Sequence, residues 1–428
     1  MKYKLSRYNV IFNRESGCYL WNTFSGALIK LDKGALAFIE RFDGQECSSP
    51  YYINLKENGC LVEENIDELG KVLVDEKTIT LENNPSTLYF TIAPGLGCNY
   101  NCEYCFENHR TSHKKMSLDI QDSIFQHIQT LIENNKNLKK ISVTWFGGEP
   151  LLYVDIIYSL SKRIISMCDS KGIGYYSGMI SNGRYLTPQN VQKLKECRIG
   201  HLQVSIDGLE ENYTKVKRAK IIDFKKTISN VVYAADHLPL AIRINVFNSI
   251  DDAERLTQFL LRDNNLDGKI KIYIAHTREY DKNLSTKQEQ ESYALFLKNE
   301  LKYINLFGKG GLYKKESFEY RIPKRRGTSC LSACKANLCI GPEGELYQCE
   351  HHYGLPNKQI GTLSKGFLYN HNFTDYLTFS HYDKCLRCKF FPVCLGGCID
   401  DYVNKRNMLF CRGYRLRLID LLMYKYEH

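Results

Sequence analysis

The chain has 428 residues, 43% of them hydrophobic and 12% aromatic, which excludes a mostly disordered protein and suffices for a large core without disulfides. Its 58 Lys and Arg against 48 Asp and Glu give a formal charge of +10; these charges are spread out apart from Lys324-Arg325-Arg326, as on a solvated basic surface rather than a nucleic-acid site. No run of about 18 apolar residues is available to cross a membrane and the N-terminus lacks a signal-peptide core, so a cytoplasmic protein is expected; its 17 cysteines then point to metal or chemistry rather than disulfides.

Residues 1–86 read as a small α+β module. β-prone runs at 8–12 and 18–21 flank the hairpin signal Arg14-Glu15-Ser16-Gly17, and 27–31 supplies a third strand. A short helix over 35–42 stops at Asp43-Gly44, Asn58-Gly59 is a turn, and 66–74 is a further helix or strand before Pro85-Ser86 closes the module. From 87 to 275 strand-like runs at 88–92, 141–145, 175–180, 202–206, 241–246 and 269–274 alternate with helical patterns. Ser117 is the expected cap of the first helix; the others are expected over 151–167, 188–197, 224–236 and 253–261. Six strand–helix units predict an α/β fold, a partial (β/α)6 TIM-like barrel with its site at the C-terminal strand ends. Residues 276–329 are a polar connector with a helix over 289–302. Residues 330–428 are loop-rich, hold nine of the cysteines between 330 and 411 and end in a helix over 414–426, a composition that calls for metal to hold a core.

The first barrel strand runs through Pro94-Gly95-Leu96-Gly97 into Cys98-Asn99-Tyr100-Asn101-Cys102-Glu103-Tyr104-Cys105. Three thiolates can bind three irons of a cuboidal four-iron cluster and leave the fourth iron open to a substrate. A zinc loop lacking one ligand is the competing reading. The full motif, with an aromatic before its last cysteine, resembles the radical S-adenosylmethionine (SAM) superfamily, and further features match in order. Gly147-Gly148-Glu149-Pro150 after the second strand resembles the family's GGEP motif, which receives the amino group of SAM. Ser181-Asn182-Gly183 after the third strand and Ser205-Ile206-Asp207-Gly208 after the fourth resemble its ribose- and methionine-contacting loops. Arg218 lies where members place an Arg against the SAM carboxylate, and Tyr104 is the motif's aromatic. The resemblance implies cleavage of SAM to a 5′-deoxyadenosyl radical that abstracts a substrate hydrogen.

The C-terminal spacing Cys385-x2-Cys388-x5-Cys394-x3-Cys398, then Cys411, with Cys334, Gly344 and Cys349 upstream, resembles the SPASM extension of that superfamily, although Cys385-x2-Cys388 alone reads as a zinc ribbon. By that resemblance Cys385, Cys388, Cys394 and Cys411 hold one auxiliary four-iron cluster, while Cys334, Cys349 and Cys398 hold another. Its fourth ligand is Cys330 or Cys339, or the site has three. Three 4Fe-4S clusters and SAM are thus the implied cofactors. Glu350, beside Cys349 and followed by His351-His352, stands where sulfatase-maturing relatives carry a general base. Of the remaining cysteines, Cys168 and Cys197 are expected on helix packing faces.

Residues 1–86 resemble, less specifically, the winged-helix-like module that receives leader peptides in peptide-modifying enzymes, where a peptide adds a strand to a sheet edge. The resemblances together imply a radical SAM/SPASM enzyme that installs a thioether or carbon–carbon cross-link on a ribosomally made precursor peptide with a leader, drawing electrons from a reductant such as flavodoxin or ferredoxin. Anaerobic sulfatase maturation, forming formylglycine, is the alternative within the superfamily. A metal-binding protein acting on nucleic acid is the alternative outside it. The expected organisation is a leader-recognition module over 1–86, the barrel over 87–275, a connector over 276–329 and a SPASM domain over 330–428.

Overall fold

The computed structural model describes residues 1–107, 114–246, 250–277, 286–308, 310–320, 322–404 and 411–427; part of the polar connector, 278–285, lies outside them. Six parallel strands form the centre of the larger unit: β1 (Thr87–Ile92), β2 (Lys140–Trp145), β3 (Gly174–Ser181), β4 (Ile199–Ser205), β5 (Leu240–Val246) and β6 (Lys271–His276). Each pairs in parallel with the next, in chain order. Period-two alternation sets the faces. Leu88, Phe90 and Ile92 of β1 and Ile141, Val143 and Trp145 of β2 are buried. Tyr89, Thr91, Ser142 and Thr144 on the opposite face are half-buried and polar. Gln203, Ser205, Arg243 and Tyr273 continue that polar face, and the Tyr273 hydroxyl donates to Gln203 Oε1 at 2.5 Å. A partial barrel whose inner face is polar and accessible differs from a closed TIM barrel, whose interior is packed with branched apolar side chains.

The crossover helices form where apolar spacing and caps predict. Ser117 caps Leu118–Asn134 by accepting from Ile120 N at 3.3 Å. Thr187 caps Pro188–Glu196, with Pro188 in the first turn. Cys168 and Cys197 are fully buried in helix packing, and burial pushes each thiol up to about 11. β6 starts two residues later than the sequence pattern suggests, because Asn265 (φ 55°) and Gly268 (φ 84°) turn the chain first and Lys269 N donates to Leu266 O at 2.9 Å. The segment read as loop-rich supplies further strands: β7 (Asn337–Ile340) lies parallel to β1, pairing Leu338 with Phe90. An antiparallel series β8 (Glu345–Tyr347), β9 (Gly361–Thr362) and β10 (Gly366–Phe367) extends the sheet to ten strands among the described residues.

This larger unit comprises Asn83–Arg321, Lys335–Tyr376 and Phe410–His428; the other comprises Met1–Glu82, Ile322–Cys334 and Leu377–Leu409. In the latter, Asn9–Arg14, Gly17–Asn22 and Leu28–Leu31 make the expected antiparallel three-stranded sheet. Asp32 caps the helix Lys33–Arg41, its carboxylate accepting from Ala35 N at 2.7 Å. The 66–74 segment resolves as the helix Glu68–Thr80, capped by Asp67. A helix at Pro50–Glu57 and a two-stranded pairing of Tyr3–Leu5 with Leu61–Glu63 complete the module. Tyr8 and Val72 share a core with Cys385, Phe391 and Leu395, so the N-terminal module and part of the cysteine-rich segment fold as one body. Glu76 and His381, both nearly inaccessible, join them through a 2.6 Å contact. Among the described residues no helix is long and apolar enough to cross a membrane.

Candidate active site

The loop after β1 is fastened through its own backbone groups. Gly97 O accepts from Glu149 N at 2.9 Å, Gly97 N donates to the Tyr153 hydroxyl at 3.2 Å, and Glu103 N donates to Val216 O at 3.0 Å. Loops after β2 and β4 therefore grip the cysteine loop from two sides. Cys98 is exposed and Cys102 and Cys105 are intermediate. Tyr100 N donates to Cys98 Sγ at 3.4 Å, and Cys105 N to Cys102 O at 3.1 Å. Burial by surrounding atoms, then the Glu149 charge, push the Cys98 thiol up to about 12, with Cys102 and Cys105 adding to the rise.

Gly148 is required by space: a Cβ there would collide with Gly97 O and Leu96 O. The neighbouring Glu149 is 1% exposed and ties β2 to β3. Its Oε1 accepts from the Ser181 hydroxyl at 2.8 Å and Leu151 N at 2.9 Å; its Oε2 accepts from Asn182 N at 2.7 Å. Burial raises the Glu149 carboxyl, and those donors oppose the rise. Pro150, buried, opens a short 3-10 turn. Asn182 Nδ2 in turn donates to Asn99 Oδ1 at 2.9 Å and lies 4.0 Å from Cys98 Sγ. Cys98, Gly148, Glu149, Ser181 and Asn182 are thus brought together as the sequence suggests, with the Glu149 carboxylate serving the loops themselves.

Tyr104, Ser205 and Asp207 meet around a residue the sequence reading did not select. Lys217 is 1% exposed and pairs with Asp207, 0% exposed, at 2.9 Å. Asp207 also accepts from the Tyr104 hydroxyl at 2.7 Å and from Asn245 Nδ2 at 2.8 Å, and Lys217 donates to Ser205 Oγ at 3.2 Å. Burial disfavours the Lys217 charge, but the Asp207 carboxylate, with Tyr104, Cys102 and Tyr213 adding to it, holds the ammonium well above the usual lysine range. The same ammonium opposes the burial that raises the Cys102 thiol. Tyr104 therefore points into a buried polar network, which explains a tyrosine there in place of another aromatic. Arg218, the expected partner of a carboxylate, is exposed at the left-handed end of Glu210–Lys217, with φ 49°. Lys217 had a signal: it lies four residues after buried Tyr213 and next to buried Val216, inside an apolar helical stripe.

Glu350 opens the turn Glu350–His352. The His351 ring lies 4.3 Å from that of Phe106, directly after Cys105, and Phe106 stacks on Phe146 at 6.2 Å. Phe146 lies 6.4 Å from Tyr353, whose hydroxyl donates to Thr91 O at 2.6 Å. The Glu350 turn is thereby placed beside the end of the cysteine loop. Cys339 is fully buried in β7, opposite Thr91, and burial followed by the Glu350 charge raises its thiol well above the ordinary range.

The cysteines from Cys330 onward divide between the units. Cys330, Cys334, Cys385, Cys388, Cys394 and Cys398 belong to the smaller one; Cys339, Cys349 and Cys411 belong to the larger. Cys334 Sγ lies 3.9 Å from Cys330 O. Cys388 Sγ accepts from Phe390 N at 3.3 Å, and Cys385 Sγ lies 3.3 Å from the Tyr402 hydroxyl. Burial, then Cys385, hold that hydroxyl well above the usual phenol range, and the Cys394 charge adds to this.

Residues 92–260 match the profile of the radical SAM superfamily. The chain carries a radical SAM domain. It is 23% identical over 329 residues to the radical SAM cyclopropyl synthase TigE of Paramaledivibacter caminithermalis, over 71% of this chain and 66% of that protein. It is also 23% identical over 331 residues to a cysteine-type anaerobic sulfatase-maturating enzyme of Clostridium perfringens, over 71% of this chain and 86% of that one. Among solved structures, anSMEcpe with bound AdoMet and Kp18Cys peptide superposes with a TM-score of 0.59 at 16% identity, covering 80% of this chain and 97% of that one. SuiB of Streptococcus suis bound to precursor peptide SuiA gives 0.52 at 14% identity, covering 94% and 96%. These structures share the partial-barrel fold.

The residues of the radical SAM domain suit a four-iron cluster. Three soft thiols share one loop, with Cys102 and Cys105 adding to the rise of Cys98, a set that favours a cationic centre. Among the described residues no three His, Cys, Asp or Glu side chains converge on a single metal ion. A cluster spreads its thiolates further apart than one ion does, because each thiolate bonds a different iron. When bound, such a cluster with SAM supplies the radical chemistry; this chain's own residues position the loop, shield it and hold the charges around it.

Proposed function

We propose that this radical SAM enzyme modifies a ribosomally made precursor peptide, forming a thioether or carbon–carbon cross-link. Coverage carries the reading: the peptide-bound SuiB structure takes in 94% of this chain and the anSMEcpe structure 80%. The module of Met1–Glu82 is additional to the barrel and offers sheet edges to which a leader strand can add. Cys98, Cys102 and Cys105 would hold the SAM-binding cluster. Gly147 to Pro150, Ser181 and Asn182 would meet SAM, with Ser205, Asp207 and Tyr104 behind them and Arg218 as the expected contact for its carboxylate. Two auxiliary clusters extend the proposal, with Cys385, Cys388 and Cys394 among the ligands of one and Cys330 and Cys334 among those of the other. Flavodoxin or ferredoxin would supply electrons. Sulfatase maturation keeps one observation in its favour, the higher TM-score of 0.59 with anSMEcpe.

The test is anaerobic: reconstituted protein, reductant and SAM, with 5′-deoxyadenosine and peptide mass followed together. A leader-bearing precursor peptide is expected to stimulate the nucleoside and change mass. Turnover of a leaderless sulfatase-motif peptide instead would replace this reading by the sulfatase one.

Glu350 is proposed as the general base that takes a proton from the peptide. Glu350→Gln is expected to lower modified peptide by about 10²-fold or more. Unchanged product formation removes Glu350 from the mechanism.

A further inference from the structure

Within the smaller unit, the Cys385–Cys398 segment is built around the hydroxyl of Tyr402. That hydroxyl lies 3.3 Å from Cys385 Sγ. The ring is held on several sides: it stacks on Tyr382 at 4.5 Å and meets the His381 ring edge-on at 6.0 Å and the Phe379 ring at 5.8 Å. His381 is itself fixed by the 2.6 Å contact with buried Glu76. Backbone makes room for the hydroxyl. Leu395 (φ 46°), Gly396 (φ 79°) and Gly397 (φ 95°) run left-handed in succession between Cys394 and Cys398. A Cβ on Gly396 would collide with the Tyr402 hydroxyl and come within 3.2 Å of His381 Nδ1. A glycine thus stands where any side chain would push the hydroxyl off the sulfur.

A sulfur bound to iron is a thiolate and cannot donate, so in the loaded protein the hydroxyl is the donor. A hydrogen bond to a cluster sulfur withdraws charge from it, which stabilises the reduced, more negative state. We propose that Tyr402 is a positioning residue that sets the reduction potential of the auxiliary cluster bound through Cys385, raising it by its hydrogen bond to that sulfur. The inference rests on the reading that this segment holds such a cluster. Nothing in the Cys98 loop is involved.

The experiment uses full-length protein reconstituted anaerobically, with iron and sulfide counted and each cluster followed by EPR-monitored redox titration. Tyr402→Phe keeps the ring and deletes the hydroxyl. With about twelve irons per chain retained, one midpoint is expected to move negative while the other two stay. The expected size is about tenfold in the reduction equilibrium, about 59 mV for one electron. Gly396→Ala, which displaces the hydroxyl without removing it, is expected to move the same midpoint in the same direction. Full iron with all three midpoints unmoved in Tyr402→Phe overturns the proposal while leaving the cluster reading intact. Loss of about four irons in Tyr402→Phe also overturns it, since the tyrosine would then build the site. Wild-type protein that never holds more than about four irons per chain removes the cluster reading, and the proposal falls with it.

Discussion

Replacing Cys98, Cys102 and Cys105 together by Ala is expected to reduce 5′-deoxyadenosine to the background of a protein-free mixture. Iron should fall by about four per chain, because one cluster loses all its protein ligands. The fold should survive. The loop is held by backbone bonds from Gly97 to Glu149 and from Glu103 to Val216, and no thiol contributes to either. Compared as cluster-free proteins, the variant and the parent are therefore expected to agree in stability within about 1 kcal/mol, in the range of substitutions outside a packed core. Iron bound elsewhere should remain, which separates loss of one site from general failure to load. Retained SAM cleavage in this variant would show that the loop after β1 is not where SAM reacts.

The elements that read well from sequence are those whose physics is local. The six barrel strands and their crossover helices follow from period-two and helical spacing with side-chain caps such as Ser117. The cysteine loop and Gly147-Gly148 are legible because the chemistry of thiolates and the absence of a Cβ fix their residue types. The parts that did not read are non-local. β7 is four residues long and finds its place by pairing with β1, nearly 250 positions earlier, and no pattern within four residues encodes that. Tyr8 packs with Cys385 and Phe391 for the same reason. Lys217 is not singled out by the sequence because only the fold buries it against Asp207, while its neighbour Arg218, expected opposite the SAM carboxylate, stays exposed. The bonds that Ser181 and Asn182 donate to Glu149 are likewise invisible in the sequence, because β3 and the loop after it meet Glu149 only in the fold.

Lys217→Met is the second large effect, and it acts on stability and on cluster retention together. The substitution leaves the Asp207 carboxylate buried without its cation, and breaking a buried pair from one side costs about 3–5 kcal/mol. For a domain of this size that corresponds to a fall in Tm on the order of 10 °C. Asp207 retains donors from Tyr104 and Asn245, so the network loosens rather than vanishes. The loosening is transmitted through Tyr104, which stands between Glu103 and Cys105 and is anchored by its hydroxyl. Iron should therefore leave to a chelator faster than from the parent protein. Pairing the change with Asp207→Asn removes the uncompensated charge, so the double variant should recover part of the stability lost by Lys217→Met. The two residues act as a unit, and their effects should fall short of additive by at least about 1 kcal/mol. The amide still accepts from Tyr104 but as a neutral group, a weaker partner than the carboxylate. Chelator-sensitive iron loss should accordingly persist in the double variant after stability has partly returned. Strictly additive losses, or a Tm shift of only a degree or two in Lys217→Met, would show that this ion pair does not hold the cysteine loop in place.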